Sequence, residues 1–306
     1  MNTLETMTNN YLDFCQNQKR LDPKTIKAYR IDLKQFCNKI SVDSTYALTP
    51  AIIESYISVL HQTSKPKTVK RKIASLRAFF HYLELRDYID KNPMHKIQTR
   101  FREPKTLPKT IPLNTIETIL SVMYKQNALV QSDYQKKCIT RDIAVIELLF
   151  STGMRISELC TLRPSDVNLQ ERVILIYGKG AKERKIHIGN DAVISILYEY
   201  KSKYYSEIND CGYFFVNRLK KRLSEQSVRE MINKYTSLAA IDMHITPHMF
   251  RHSFATCLLE ADVDIRYIQE MLGHSSINIT EIYTHVAMAK QRDILANKHP
   301  RKDFLL

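Results

Sequence analysis

Four separated segments of the chain collect side chains that could act on a phosphate ester: STGMRISEL (151–159), YGKGAKER (177–184), TPHMFRHSFAT (246–256) and MLGHSSINITEIYTHV (271–286). Together they supply Arg155, Lys179, His248, Arg251, His274 and Tyr283. Two guanidinium groups can clamp a phosphate and stabilise charge that grows on it in the transition state. Histidine exchanges a proton near neutral pH, lysine can act as a general acid, and a tyrosine oxygen can attack phosphorus to form a covalent intermediate. His248 and Arg251 are three residues apart on a predicted helix and so share a face. No carboxylates with suitable spacing accompany them, as a Mg²⁺-dependent nuclease would require. The set therefore predicts phosphoryl transfer with no metal and no other cofactor.

Each residue alone has an ordinary explanation. Arg155 can form an ion pair with Glu158 three residues on, and Tyr283 is one of 17 tyrosines. His248 and His252 have the spacing of a helical metal pair but lack the glutamate of a zinc protease motif between them. Lys179 lies between two glycines without the pattern of a phosphate-binding loop. Only the combination is specific. In the order Arg155, Lys179, His248-Met249-Phe250-Arg251, Leu272-Gly273-His274 and Tyr283, with separations of 24, 69, 3, 23 and 9 residues, it resembles the tyrosine recombinase (phage integrase) family. The resemblance is tight over about residues 140–290 and extends to the whole chain in architecture. It implies that Tyr283 attacks the scissile phosphate and becomes a 3′-phosphotyrosine, releasing a 5′-hydroxyl. Arg155 and Arg251 would hold the non-bridging oxygens, Lys179 would protonate the leaving oxygen, His248 would assist proton transfer at the tyrosine, and His274 would bond the phosphate. Glu158 would orient Arg155 or pack the site. The partner strand's 5′-hydroxyl would then reverse the step, with neither ATP nor Mg²⁺. A relative that has lost catalysis and a type IB topoisomerase-like enzyme are the rival readings. The intact set of six disfavours the first. The ending around His299-Pro300-Arg301, similar to that of Xer-type recombinases, disfavours the second.

These residues need elements to hold them, and glycine usage points to where. The 306 residues contain only six glycines, well below the typical share of ~7%. Five of them, at 153, 178, 180, 189 and 273, lie in or beside the four segments, where glycine permits positive φ and close backbone approach. Their scarcity elsewhere suits a mainly α fold. The length corresponds to about two domains. Residues 101–112, within the basic, proline-rich stretch QTRFREPKTLPKTIP, read as a linker. Before it, residues 1–100 have no glycine and read as four helices, over about 3–18, from Pro23 to about Ile40, after Thr49-Pro50, and from about Ser64 to Leu85. After it, residues 113–306 begin with helices at about 114–126 and 140–152, followed by a β-hairpin over 172–188. YFFVN (213–217) reads as another extended piece, and further helices fall at about 191–206, 227–240, 247–260, 264–272, 277–285 and 287–297. The fold class is thus mainly α with a small antiparallel β-sheet: a helical, SAM-like core-binding domain and a mixed catalytic domain.

The net charge of +14 points to a polyanionic partner. Residues 1–100 carry +8 of it and the remainder +6. Lys65, Lys67, Lys70, Arg71, Lys72 and Arg77 crowd the start of the fourth helix, with Thr68 and Ser75 between them. A solvated helix face would explain such charge, but its concentration at one end favours contact with a DNA backbone. The resemblance implies that the two domains close as a C-shaped clamp on double-stranded DNA at short inverted-repeat core sites. It also implies that residues 287–306 dock into a neighbouring protomer, linking a homo-tetramer or a hetero-tetramer with a paralogous recombinase. With the first helix starting at about residue 3, there is no room before it for an arm-binding domain, which favours an Xer-like or small mobile-element recombinase. The first residues lack a secretory pattern and no stretch reaches the ~20 apolar residues of a membrane span. The six cysteines are scattered. They read as reduced thiols in a cytoplasmic, nucleoid-associated protein.

Overall fold

A computed structural model describes residues 3–40, 48–102, 109–178 and 183–273. The chain divides into two compact units, Met1–Lys105 and Thr106–Leu306. The first contains α1 (Leu4–Asn17), α2 (Pro23–Lys39), α3 (Pro50–Thr63) and α4 (Pro66–Leu85). Their starts follow from side-chain oxygens that satisfy exposed backbone amides and from prolines in the first turn. Asp22 accepts from the Lys24 amide at 2.8 Å, Thr3 from Thr6 at 3.3 Å and Thr49 from Ile52 at 3.5 Å. Leu33, Phe36, Ile53, Val69, Phe79, Phe80 and Leu83 are wholly buried between these helices. Ser75 departs from the sequence expectation. It is buried, and its hydroxyl donates to Asp32 Oδ2 at 2.8 Å, so it is not interleaved with the surface cations.

The second unit contains α5 (Leu113–Leu129), α6 (Asp133–Thr152) and α7 (Ile156–Thr161), then strands β1 (Val167–Asn168), β2 (Val173–Tyr177) and β3 (Glu183–His187). Helices α8 (Asp191–Lys203), α9 (Tyr205–Cys211), α10 (Glu225–Leu238), α11 (Pro247–Glu260) and α12 (Ile265–Leu272) follow. Helix α6 is the centre of the unit. Its residues from Ile139 to Leu149 are almost all buried, with α5, α8 and α11 packed around it. It begins seven residues before the expected position, because its polar first turns show no apolar period. The sheet is antiparallel in the order β1-β2-β3, with Val173 opposite His187 and Tyr177 opposite Glu183. Ile174, Ile176 and Ile186 face the core.

The helix expected over 191–206 is two helices, broken at Tyr204. YFFVN buries Phe214, Phe215 and Val216 but runs through a bend, not a strand, and its one ladder contact among the described residues is a single bridge between Val216 and Arg222. Its backbone is satisfied otherwise: the Phe214 amide donates to the Leu162 carbonyl at 2.7 Å, and the Tyr200 hydroxyl donates to the Phe214 carbonyl at 2.8 Å and accepts from the Val216 amide at 3.1 Å. Such pairing removes the cost of burying bare peptide groups. No helix among the described residues is long and apolar enough to cross a membrane. The expected helices at 277–285 and 287–297, the docking tail, and linker residues 103–108 lie outside the described residues.

Candidate active site

Helix α6 ends at Gly153, whose φ of +58° turns the chain sharply. A Cβ there would lie 2.6 Å from Phe254 Cδ1, so both backbone conformation and space require glycine. Two residues later Arg155 stands immediately before α7. Glu158, in the first turn of that helix, accepts from the Arg155 amide at 2.8 Å and from Arg155 Nη1 at 2.7 Å. This local loop fixes where the first arginine begins.

Arg251 reaches the same place from α11. Its side chain is buried, and its two terminal nitrogens donate to the carbonyls of Gly153, at 2.9 Å, and Leu272, at 2.7 Å. The guanidinium thus ties the end of α6 to the end of α12. Burial, reinforced by the charges of Arg155 and Arg184, pushes its pKa down to about 10. His248 lies one turn earlier on α11 and reaches the surface. Partial burial and the charges of Arg251 and Arg155 lower its pKa, so the ring is neutral at physiological pH and able to accept a proton.

Arg184 on β3 was not singled out from the sequence, although it ends the YGKGAKER segment. Its Nη1 and Nη2 donate to Glu158 Oε1 and Oε2 at 3.1 and 2.7 Å, and its Nε donates to the Met271 carbonyl at 2.8 Å. Glu158 is consequently buried between two arginines. Burial would raise its pKa, but the bonds and charges of Arg184 and Arg155 outweigh that effect and hold the carboxyl below its usual range.

Arg155, His248, Arg251 and Glu158 are thus drawn together from α6–α7 and α11. Lys179, His274 and Tyr283 lie outside the described residues. Among the basic residues of α4, Lys65, Lys67 and Lys70 are exposed and Lys72 is half-buried. Arg71 pairs with the buried Asp32, and Arg77 donates to the Thr99 hydroxyl. The positive charge of Arg71 is therefore already balanced within the unit.

The phage integrase family pattern matches residues 113–290, and that of the phage integrase N-terminal SAM-like domain matches residues 8–87. The chain belongs to the phage integrase family of tyrosine recombinases. It is an enzyme of the kind that cuts and rejoins DNA. It is 62% identical over 304 residues to a tyrosine recombinase of Agathobacter rectalis, with 99% of each chain covered. It is 34% identical to the tyrosine recombinase XerD of Listeria innocua, covering 97% of this chain and 100% of that one. In fold it is similar to the XerH site-specific recombinase bound to palindromic difH substrate in a post-cleavage complex, with a TM-score of 0.74 and 22% identity, covering 95% of this chain and 84% of that one.

Proposed function

We propose that this recombinase exchanges strands between two DNA duplexes through a 3′-phosphotyrosine at Tyr283. The observation that carries the reading is the convergence of Arg155 and Arg251, with both terminal nitrogens of Arg251 hydrogen-bonded to backbone at 2.9 and 2.7 Å. A guanidinium held in this way meets an incoming phosphate in a fixed place, so little reorganisation is required as charge develops. Arg155 and Arg251 take the non-bridging oxygens. His248, neutral at physiological pH, helps remove the Tyr283 proton as the phenolic oxygen attacks phosphorus. Lys179 protonates the departing 5′-oxygen, and His274 bonds the phosphate. The bond from phosphorus to the 5′-oxygen breaks as the bond to tyrosine forms, and a 5′-hydroxyl from the partner duplex reverses the step. Because the phosphodiester energy is conserved in the intermediate, the cycle needs neither ATP nor Mg²⁺.

The chain acts as a tetramer on short inverted-repeat core sites. Full-length similarity to XerD and fold similarity to a recombinase bound to a palindromic site support this assignment. The exposed Lys65, Lys67 and Lys70 supply contacts to the DNA backbone from the first unit. A nicked suicide substrate, whose short 5′-hydroxyl fragment diffuses away after cleavage, traps the covalent complex. Wild type should accumulate it, and Tyr283→Phe should bind the site within a few-fold of wild type yet trap nothing. Trapping by the phenylalanine variant would overturn the nucleophile assignment.

A further inference from the structure

Glu158 receives four donors on two oxygens. Oε1 accepts from Nη1 of Arg155 and of Arg184 at 2.7 and 3.1 Å, and Oε2 accepts from the Arg155 amide and Arg184 Nη2 at 2.8 and 2.7 Å. A carboxylate has about four lone-pair sites, so this one is saturated. One negative charge is divided between two guanidinium groups. Arg184 is itself buried, with a side-chain exposure of 7%, and therefore acts within the site and not at the surface. Its third bond, from Nε to the Met271 carbonyl, reaches the last turn of α12, where a cation also suits the helix dipole. A Cβ on Gly273, whose φ is +68°, would lie 3.1 Å from Arg184 Nη1, so the guanidinium lies close against that backbone. In sequence, the next residue is His274.

We propose that Arg184 is a positioning residue for strand cleavage. It neutralises Glu158 so that Arg155 keeps its positive charge for the phosphate, and it ties the end of α12 to β3. This inference rests on the reading that Arg155 holds the scissile phosphate. Without Arg184, the whole charge of Glu158 falls on Arg155, and the carboxylate becomes a competitor of the phosphate. The damage then comes from an unbalanced carboxylate, and removing that negative charge should repair it. A merely structural role would show this repair in melting temperature and in site affinity, whereas cleavage by protein already saturated with its site is read apart from both.

The test measures single-turnover cleavage of the suicide substrate at saturating protein, with site affinity measured separately. Arg184→Met should slow cleavage about 10- to 100-fold, the worth of a hydrogen bond to a charged group, while Kd stays within about threefold. Adding Glu158→Gln should then restore at least about tenfold of the lost rate. Arg184→Lys, which keeps the charge but not the fork, should lie between wild type and Arg184→Met. If Arg184→Met loses site binding altogether, Arg184→Lys with and without Glu158→Gln carries the same comparison. A double variant as slow as the single one, or a single variant as fast as wild type, overturns the inference. A wild-type protein that traps no complex overturns the functional reading, and this inference with it.

Discussion

Arg71 and Lys67 both lie in the basic half of α4, but their surroundings predict opposite consequences of removing them. Asp32, the partner of Arg71, has a side-chain exposure of 1%, and its Oδ1 has no hydrogen-bond partner among the described residues. Arg71→Met therefore leaves a buried carboxylate supported by the Ser75 hydroxyl alone. Breaking a fully buried pair costs ~3–5 kcal/mol. Arg71 is 45% exposed, so solvent screening reduces this to about 1–2 kcal/mol. At 1.4 kcal/mol per decade, amide hydrogen exchange in α2 and α4 should accelerate roughly 5- to 30-fold, without comparable change in the second unit. Lys67→Ala should leave exchange unchanged but lower the salt dependence of DNA binding, in log Kd against log salt, by about 0.9. Arg71→Met should lower that slope by less than half as much. If Arg71→Met takes the full step in slope and leaves exchange unaltered, Arg71 is a phosphate contact and its assignment to Asp32 is refuted.

Gly153→Ala combines a left-handed backbone with a Cβ 2.6 Å from Phe254, and should lower stability by more than about 2 kcal/mol as well as cleavage. Adding Phe254→Leu should recover part of the melting temperature but not the backbone strain. Arg251→Lys cannot reach two carbonyls and a phosphate with the same fork. It should slow cleavage by about 10²–10³ with site affinity little changed, as read from trapped complex and Kd in parallel. The His248 pKa lies below its ordinary 6.5, so cleavage should stay level as pH falls from 8 to 6.5 and decline only beneath that. The sign is the same for stability: the unfolded chain takes the proton first, so the folded state loses stability as pH falls below 6.5, an effect that His248→Gln should abolish.

Local chemistry made much of the fold legible before the structure. The starts of α2 and α3 follow from Asp22-Pro23 and Thr49-Pro50, because capping and proline act within a few residues. The six-residue α7 was not foreseen, being too short to display a helical period. YFFVN has the composition of a strand, but its partners are a tyrosine hydroxyl and a distant carbonyl, which no local pattern reveals. Ser75 failed for a related reason: Asp32 comes from another helix, and side-chain pairing over 43 residues leaves no trace in periodicity. Arg184 did leave a trace. Strand alternation puts it on the same face as the buried Ile186, and a charge on the inner face of a strand is a sign of a buried partner. In the site, the meeting of Arg155 with Arg251 was legible only as a combination of motifs, since 96 residues separate them.

Arg155, Arg184 and Arg251 converge on a cluster in which Arg155 and Arg184 share the single carboxylate of Glu158. Folding therefore brings like charges together before any DNA is present, and the charges of Arg155 and Arg184 add to the burial that depresses the pKa of Arg251. A tetrahedral anion that occupies the gap relieves this repulsion, and binds the folded chain in preference to the unfolded one. Sulfate or inorganic phosphate in a buffer should thus behave as a ligand of this protein, raising its melting temperature with the logarithm of concentration while competing with the scissile phosphate. The most protective storage buffer is then also an inhibitor.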